Sequence, residues 1–347
     1  MNILLLMDAY IRVPPLHYGG IERVVADLAD GLVLRGHNVT LWAAPGSRTD
    51  AALESFGREG EWTGWSNVRN TLTLGGRFAR MGRRFDVIHN FGRLAYLLSI
   101  ARHRVGKVQT YMRPVNPANM KLFGRVGARE LVFTAVSDAI RRTGAPGGGD
   151  WRVIYNCARP ALYTLSTNVD AARAPLLFLG RLERCKGAHT AIDVARAANR
   201  KLIIAGNVST VPHEKDYFER ELKPRFDGEL ISYIGPVNDQ QKIKLLGESA
   251  ALMMPIEWEE PFPVTLPEAM LCGTPLIAFR RGGVPEGIID GVTGFVCDTP
   301  DQMRDSIARL PEIDRRACRA DAERRFSDEV ITSAYESLYE ELVSAGG

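Results

Sequence analysis

Short apolar runs alternate with amphipathic stretches along this chain, and the alternation occurs twice. In the first half NILLLMD, NVTLWAA, DVIHNFG, KVQTYM, LVFTAVS and WRVIYN read as strands, with amphipathic helices at Ile21 to Arg35 and Asp138 to Thr143. In the second half PLLFLG, KLIIAG, ISYIG, ALMMP, PLIAF and GFVC repeat the pattern, separated by helical stretches such as AHTAIDVARAANR and NDQQKIKLLGESA. Runs with no polar alternation belong to strands covered on both faces, which is the situation of a parallel sheet between helices. The fold class is therefore α/β, with two Rossmann-like parallel-sheet domains, each offering ligand crevices at the carboxyl ends of its strands. A chain of 347 residues is too long for one ordinary core and suits that division. The expected domains are 1–158 and 159–327, with a linker near Cys157 to Pro175 and a terminal helix at about 328–345.

With 45% hydrophobic and 24% charged residues, the composition is that of an ordinary globular protein. MNILLLMD lacks a basic leader and reads as a first strand, and no uncharged apolar stretch approaches the ~20 residues needed to cross a bilayer. The five cysteines are scattered without a CxxC pair, so a reduced, cytoplasmic setting and no zinc site are expected.

The charge is unevenly spread. Residues 1–158 carry 21 Lys and Arg against 12 Asp and Glu, and residues 159–347 carry 23 against 29, so a basic half precedes an acidic one. The excess concentrates between Arg69 and Arg142, notably Arg77, Arg80, Arg83 and Arg84, among which Phe78, Met81 and Phe85 recur at helical spacing. Such a run is a solvated helix face, a peripheral anchor on an anionic membrane surface, or a guide for an anionic acceptor. No helix-turn-helix or RNA-binding signature accompanies it, so nucleic acid is not expected as a partner.

In EPFPVTLPEAMLCG (Glu260 to Gly273), two glutamates stand eight positions apart. Pro261 and Pro263 forbid helix, which leaves Glu260 in a loop at the carboxyl end of the ALMMP strand. From Thr265 a helix start is legible: Thr265 as N-cap, Pro267 in the first turn, Glu268 three residues after the cap and Gly273 beyond the end. Glu268 thus either completes a capping box or joins Glu260 as a ligand clamp, with the amides of Val264, Thr265 and Leu266 offering positive dipole to an anion.

Neither half carries GxGxxG after its first strand, and no GxxxxGK[ST] loop occurs, which disfavours hydride transfer and P-loop phosphoryl transfer. Gly19 and Gly20 open the first helix and let a phosphate or sugar approach the backbone. In FLGRLERCKG, Arg181 and Lys186 leave a strand together, as surface charge or as cations that neutralise a diphosphate. No DxD motif is present, so metal-independent chemistry is preferred. YMRPVNP presents Arg113 and Asn116 after a strand of the first half, as a proline-braced loop or an acceptor contact. GAPGGGD (Gly144 to Asp150) is expected to be a mobile loop.

In order and spacing, YGG, DVIHN, AVSD, VIYN, GRLERCKG, EPF…E and RRGGVPEGIIDGVTGFV resemble glycosyltransferase family 4, the retaining enzymes of GT-B fold. The resemblance implies two Rossmann-like domains facing each other across a donor/acceptor cleft, with the terminal helix crossing back to the first. It implies catalytic roles for Glu260, His89, Arg181 and Lys186, with Glu260 and His89 beside the transferred sugar. Arg181 and Lys186, with the amides of Gly20 and of Val264 to Leu266, would hold the diphosphate, and Glu268 the ribose. Gly19, Pro261, Phe262, Gly235 and Val237 complete the implied donor site, the last two near the nucleobase. Departures are Pro263 and Cys157, where the family commonly has glycine, and the lack of a second histidine after His89.

The implied activity is retaining transfer of a hexose-type sugar from a nucleotide-sugar, UDP-sugar first, to a hydroxyl of a sugar, lipid-linked or other glycoconjugate acceptor, with no cofactor. A sugar-nucleotide epimerase of the same architecture and a non-catalytic sugar-nucleotide-binding subunit are the alternatives, and the oligomeric state is open.

Overall fold

A computed structural model describes residues 1–15, 20–60, 63–81 and 84–346. The chain divides into two compact units, Met1–Cys157 with Asp328–Gly347, and Ala158–Ser327.

Among the described residues the first unit holds seven parallel strands: β1 (Asn2–Leu6), β2 (Asn38–Ala43), β3 (Ala52–Ser55), β4 (Val87–Asn90), β5 (Gly106–Tyr111), β6 (Leu131–Ala135) and β7 (Asp150–Val153), in the order β3-β2-β1-β4-β5-β6-β7. Ile3, Leu4, Leu5 and Leu6 are fully buried, as an unbroken apolar run in a central strand requires. β3, reading ALES, lies at an edge and is mostly exposed, which is why its sequence carries no strand signal. The helices α1 (Gly20–Leu34), α2 (Gly64–Met81), α3 (Pro117–Val126) and α4 (Asp138–Gly144) follow β1, β3, β5 and β6.

The second unit holds β8 (Leu176–Leu179), β9 (Leu202–Ala205), β10 (Ile231–Tyr233), β11 (Ala251–Met254), β12 (Leu276–Phe279) and β13 (Gly294–Cys297), all parallel, in the order β10-β9-β8-β11-β12-β13. Its helices are α5 (Ala188–Ala197), α6 (Pro212–Tyr217), α7 (Asp239–Glu248), α8 (Thr265–Leu271), α9 (Val284–Gly287), α10 (Pro300–Ala308) and α11 (Arg315–Phe326).

The terminal helix α12 (Asp328–Gly346) belongs to the first unit, where it packs on α1, β4 and β5 and buries Ile331, Tyr335, Leu338, Tyr339 and Leu342. This apolar stripe is covered by the chain's own sheet and helix.

One sequence alternative is favoured, the solvated helix face for the basic stretch, and one expectation, the mobile GAPGGGD loop, is corrected. The aromatic positions of the basic stretch face inward: Phe78 and Phe85 are buried, their rings 5.3 and 6.4 Å from Trp42. Arg77 lies over Trp42 at 5.2 Å and donates to Ser55 O, while Arg84 pairs with Glu54, so the stripe fastens the unit and is not an outward apolar face. Arg83 lies outside the described residues. The GAPGGGD segment is packed, not loose: a side chain at Gly147 would meet Pro117 O at 2.3 Å, and Trp151 Nε1 donates to Gly148 O.

Strand order reverses between β1 and β4 in the first unit and between β8 and β11 in the second. Loops leaving adjacent strands diverge at such a switch point, which opens a crevice at the carboxyl ends.

Candidate active site

At the switch point of the second unit, the loop after β8 meets the segment after β11. Gly187, with φ of 76°, lies so close to Pro255 that a Cβ would sit 1.9 Å from its carbonyl oxygen. Only glycine permits that approach, and it brings Lys186 against the second strand end. There Lys186 Nζ donates to Glu260 Oε2 at 2.5 Å and Trp258 Nε1 donates to the same oxygen at 2.6 Å. The ammonium stands 5.2 Å from the Trp258 ring centre, over an aromatic face that favours a cation.

The loop after β12 fixes Glu260 from the other side. Gly283 N donates to Glu260 O and Gly282 N to a carboxylate oxygen of Glu259, while Gly282 holds φ of 55° with its Cα side against Glu260 backbone. Glu260 is 7% exposed.

Glu268, in the first turn of α8, is built the same way and is 2% exposed. Lys242 Nζ, from α7, donates to Glu268 Oε1 at 2.6 Å and the Tyr163 hydroxyl donates to it at 2.7 Å. Each glutamate therefore has one oxygen saturated by a lysine and an aromatic side chain. Among the described residues, Glu260 Oε1 and Glu268 Oε2 receive no side-chain donor. A buried carboxylate held by one oxygen presents the other as a fixed acceptor, and hydroxyl groups are its natural ligands.

Several expectations change. Thr265 is the first helical residue of α8 and Val264 occupies the cap without a capping bond, so Glu268 completes no capping box. Leu266 N donates to Pro263 O, which removes one of the three amides offered to an anion. Phe262 is buried against Phe326 with ring centres 5.2 Å apart, and Pro261 is buried beside it, so both side chains serve the core. Lys186 is not a bare cation, and Arg181 donates to Glu183 Oε1 at 2.6 Å while its side chain stays 43% exposed. Gly235, with φ of 79°, accepts from Gly206 N through its carbonyl, and Val237 is half-buried nearby in sequence.

His89 departs furthest from expectation. It is fully buried in the first unit, sharing hydrogen bonds with the Tyr339 hydroxyl at 2.5 Å and the Thr110 hydroxyl at 2.6 Å, its ring 3.9 Å from that of Phe91. Burial holds its pKa well below the usual histidine value. With both nitrogens engaged inside the unit, His89 secures α12 to the sheet and has no face for a sugar. Gly20 opens α1, and Gly19 lies outside the described residues.

At the switch point of the first unit lies a cavity of ≈ 420 Å³ whose lining includes Asp8, Arg93, Arg113 and Asn116. Asn116 also caps α3, its side chain accepting from Ala118 N.

Sequence reasoning missed Tyr163, Lys242, Trp258 and Asp8. Lys242 follows a capping-box helix start at Asn238, which marked the helix but not the direction of its fourth residue. Trp258 stands two residues before Glu260, and that proximity was the one available signal. Among the described residues no group of three His, Cys, Asp or Glu side chains is placed to hold a metal ion, and no helix is long and apolar enough to cross a membrane.

Residues 18–161 match the model of "Glycosyltransferase Family 4" and residues 166–325 that of "Glycosyl transferases group 1". The chain belongs to glycosyltransferase family 4. Glycogen synthase of Mycobacterium tuberculosis is 25% identical across 98% of this chain and 94% of its own length. D-inositol 3-phosphate glycosyltransferase of Saccharomonospora viridis is 27% identical over 63% of this chain and 54% of its own. Among solved structures, AviGT4, a glycosyltransferase involved in avilamycin A biosynthesis, is 27% identical with a TM-score of 0.70, covering 99% of this chain and 98% of that one. The Anabaena protein HepE in complex with UDP-glucose shares the fold at 19% identity and a TM-score of 0.72, over 99% of this chain and 100% of its own. This family 4 glycosyltransferase thus has the GT-B fold, built from the two parallel-sheet units described above.

Proposed function

We propose that this glycosyltransferase moves a hexose-type sugar from a nucleotide-sugar donor to an acceptor hydroxyl, with retention at the anomeric carbon and without a metal ion. The observation that carries the reading is the pair Glu260 and Glu268, each buried at the β8/β11 switch point with one oxygen committed to a lysine. In this reading Glu268 accepts from the ribose hydroxyls and Glu260 from a hydroxyl of the donor sugar. Lys186 and Arg181 neutralise charge on the departing diphosphate, a role that fixed cations perform without reorganising during the reaction.

Retention is assigned to a front-face route. Glu260 Oε2 is held by Lys186 and Trp258, which suits a group that positions the sugar more than one that attacks it. The leaving phosphate then assists deprotonation of the acceptor hydroxyl. UDP is the first nucleotide to test, because the HepE structures hold UDP and UDP-glucose.

Thermal-shift measurements with UDP, GDP, ADP and dTDP test the donor class, with UDP expected to stabilise most. Stabilisation by none of the four overturns the nucleotide-sugar reading. NMR of the product's anomeric proton then tests retention, and an inverted product overturns it.

A further inference from the structure

The cavity of the first unit contains a carboxylate that the donor site does not use. Asp8, two residues beyond β1, is 8% exposed, and no donor among the described residues reaches its buried Oδ1 within 3.5 Å, although the Tyr96 hydroxyl, likewise buried and unpartnered at that distance, acts on the carboxylate. A buried acceptor oxygen without a full hydrogen bond is destabilising, and a ligand hydroxyl entering the cavity relieves it.

The surroundings define what that ligand carries. Phe91, Leu94, Val115 and Phe123 form buried apolar walls, suited to the C–H faces of a sugar or cyclitol ring. Arg93 and Arg113 line the cavity with exposed side chains, and neither forms an ion pair within 4.0 Å among the described residues. Arg113 acts electrostatically on Asp8 and on buried Glu22 alike. Burial outweighs both arginines and the Tyr96 hydroxyl, keeping the Asp8 carboxyl above its ordinary range. An arginine at a cavity mouth without a bound carboxylate is a bidentate receptor for phosphate or carboxylate. The loop that carries Arg93 is fastened from below: Asn90 Nδ2 donates to Arg93 O, and Gly92 N donates to Asn90 Oδ1. The volume of ≈ 420 Å³ falls in the range of small-molecule sites.

From this geometry we propose that the first-unit cavity takes the acceptor as a polyhydroxy compound bearing an anionic group, with Asp8 Oδ1 receiving an acceptor hydroxyl and Arg113 the anion. The proposal rests on the glycosyltransferase reading and assigns Asp8 as a positioning residue.

Calorimetric titration of the full chain with glucose, glucose 6-phosphate, glucuronate and inorganic phosphate tests it, with UDP titrated in parallel. Glucose 6-phosphate or glucuronate is expected to bind at least ten-fold more tightly than glucose and inorganic phosphate, and which of the two leads identifies the anion. Asp8→Asn and Arg113→Ala should each weaken that binding at least ten-fold and leave UDP affinity unchanged. Asp8→Asn should also melt no lower than the parent, because it removes a buried carboxylate whose Oδ1 lacks a full hydrogen bond; a purely structural aspartate would melt lower. Equal binding of neutral and anionic sugars, no binding by any of them, or affinity unaltered by Asp8→Asn overturns the proposal. Loss of UDP binding in the parent chain overturns the donor reading instead.

Discussion

Lys186 reaches across 74 positions to donate to Glu260 Oε2 at 2.5 Å. The two residues are the ends of loops from adjacent strands, and the bond makes the charge of one the orientation of the other.

Glu260→Gln should therefore lose most turnover, by about 100-fold or more, while nucleoside diphosphate affinity is retained. The amide cannot accept equally from Lys186 and Trp258, so the sugar-facing oxygen loses its fixed direction. Hydrogen bonds to charged groups contribute about 1.5–3 kcal/mol, and about 2.7 kcal/mol corresponds to a 100-fold loss of rate. Steady-state kinetics beside UDP titration make the check, and unchanged turnover removes Glu260 from the reaction.

Glu268→Gln should act on affinity and stability together. It takes the buried carboxylate from the Lys242 ammonium, 13% exposed at the side chain, and among the described residues leaves it only the exposed Asp239 at 3.3 Å as a charged partner. An uncompensated buried charge costs about 3–5 kcal/mol, and Asp239 reduces that cost here. A lower melting temperature with weakened UDP binding is expected, and Lys242→Met in the same background should recover stability but not affinity.

Gly282→Ala should impair activity through backbone alone. A Cβ there would lie 2.1 Å from Glu260 O, at φ of 55°. The strain displaces the Glu260 segment, and a turnover loss of about ten-fold or more with the fold retained by circular dichroism is the expected result. Parent-like kinetics would show that Gly282 does not set the position of Glu260.

The first unit should weaken in mild acid. His89 is held neutral, its folded pKa below the usual value of 6.5, so the unfolded chain binds a proton that the folded chain refuses. Stability is thus fully present above about pH 6.5 and declines as pH falls below it toward the folded pKa. Melting temperatures between pH 7.5 and 5 should show this decline, and His89→Gln should flatten it while lowering stability at pH 7.5. A His89→Gln profile parallel to the parent's places the acid sensitivity elsewhere.

Read without coordinates, the unbroken apolar runs determined two parallel-sheet units, because such runs are stable only when covered on both faces. Local spacing likewise singled out Glu260 and Glu268, since prolines and a terminal glycine mark loop and helix within a few residues. The partners of those glutamates were decided by tertiary structure: Lys186, Lys242 and Tyr163 lie 74, 26 and 105 positions away, distances over which no local signal operates. The same reason explains His89, whose strand-end position is legible but whose burial depends on Tyr339, 250 residues later. Asp8 looked like an ordinary strand-end acid, and only the packing of β1, β4 and β5 around it made it a buried carboxylate in a cavity.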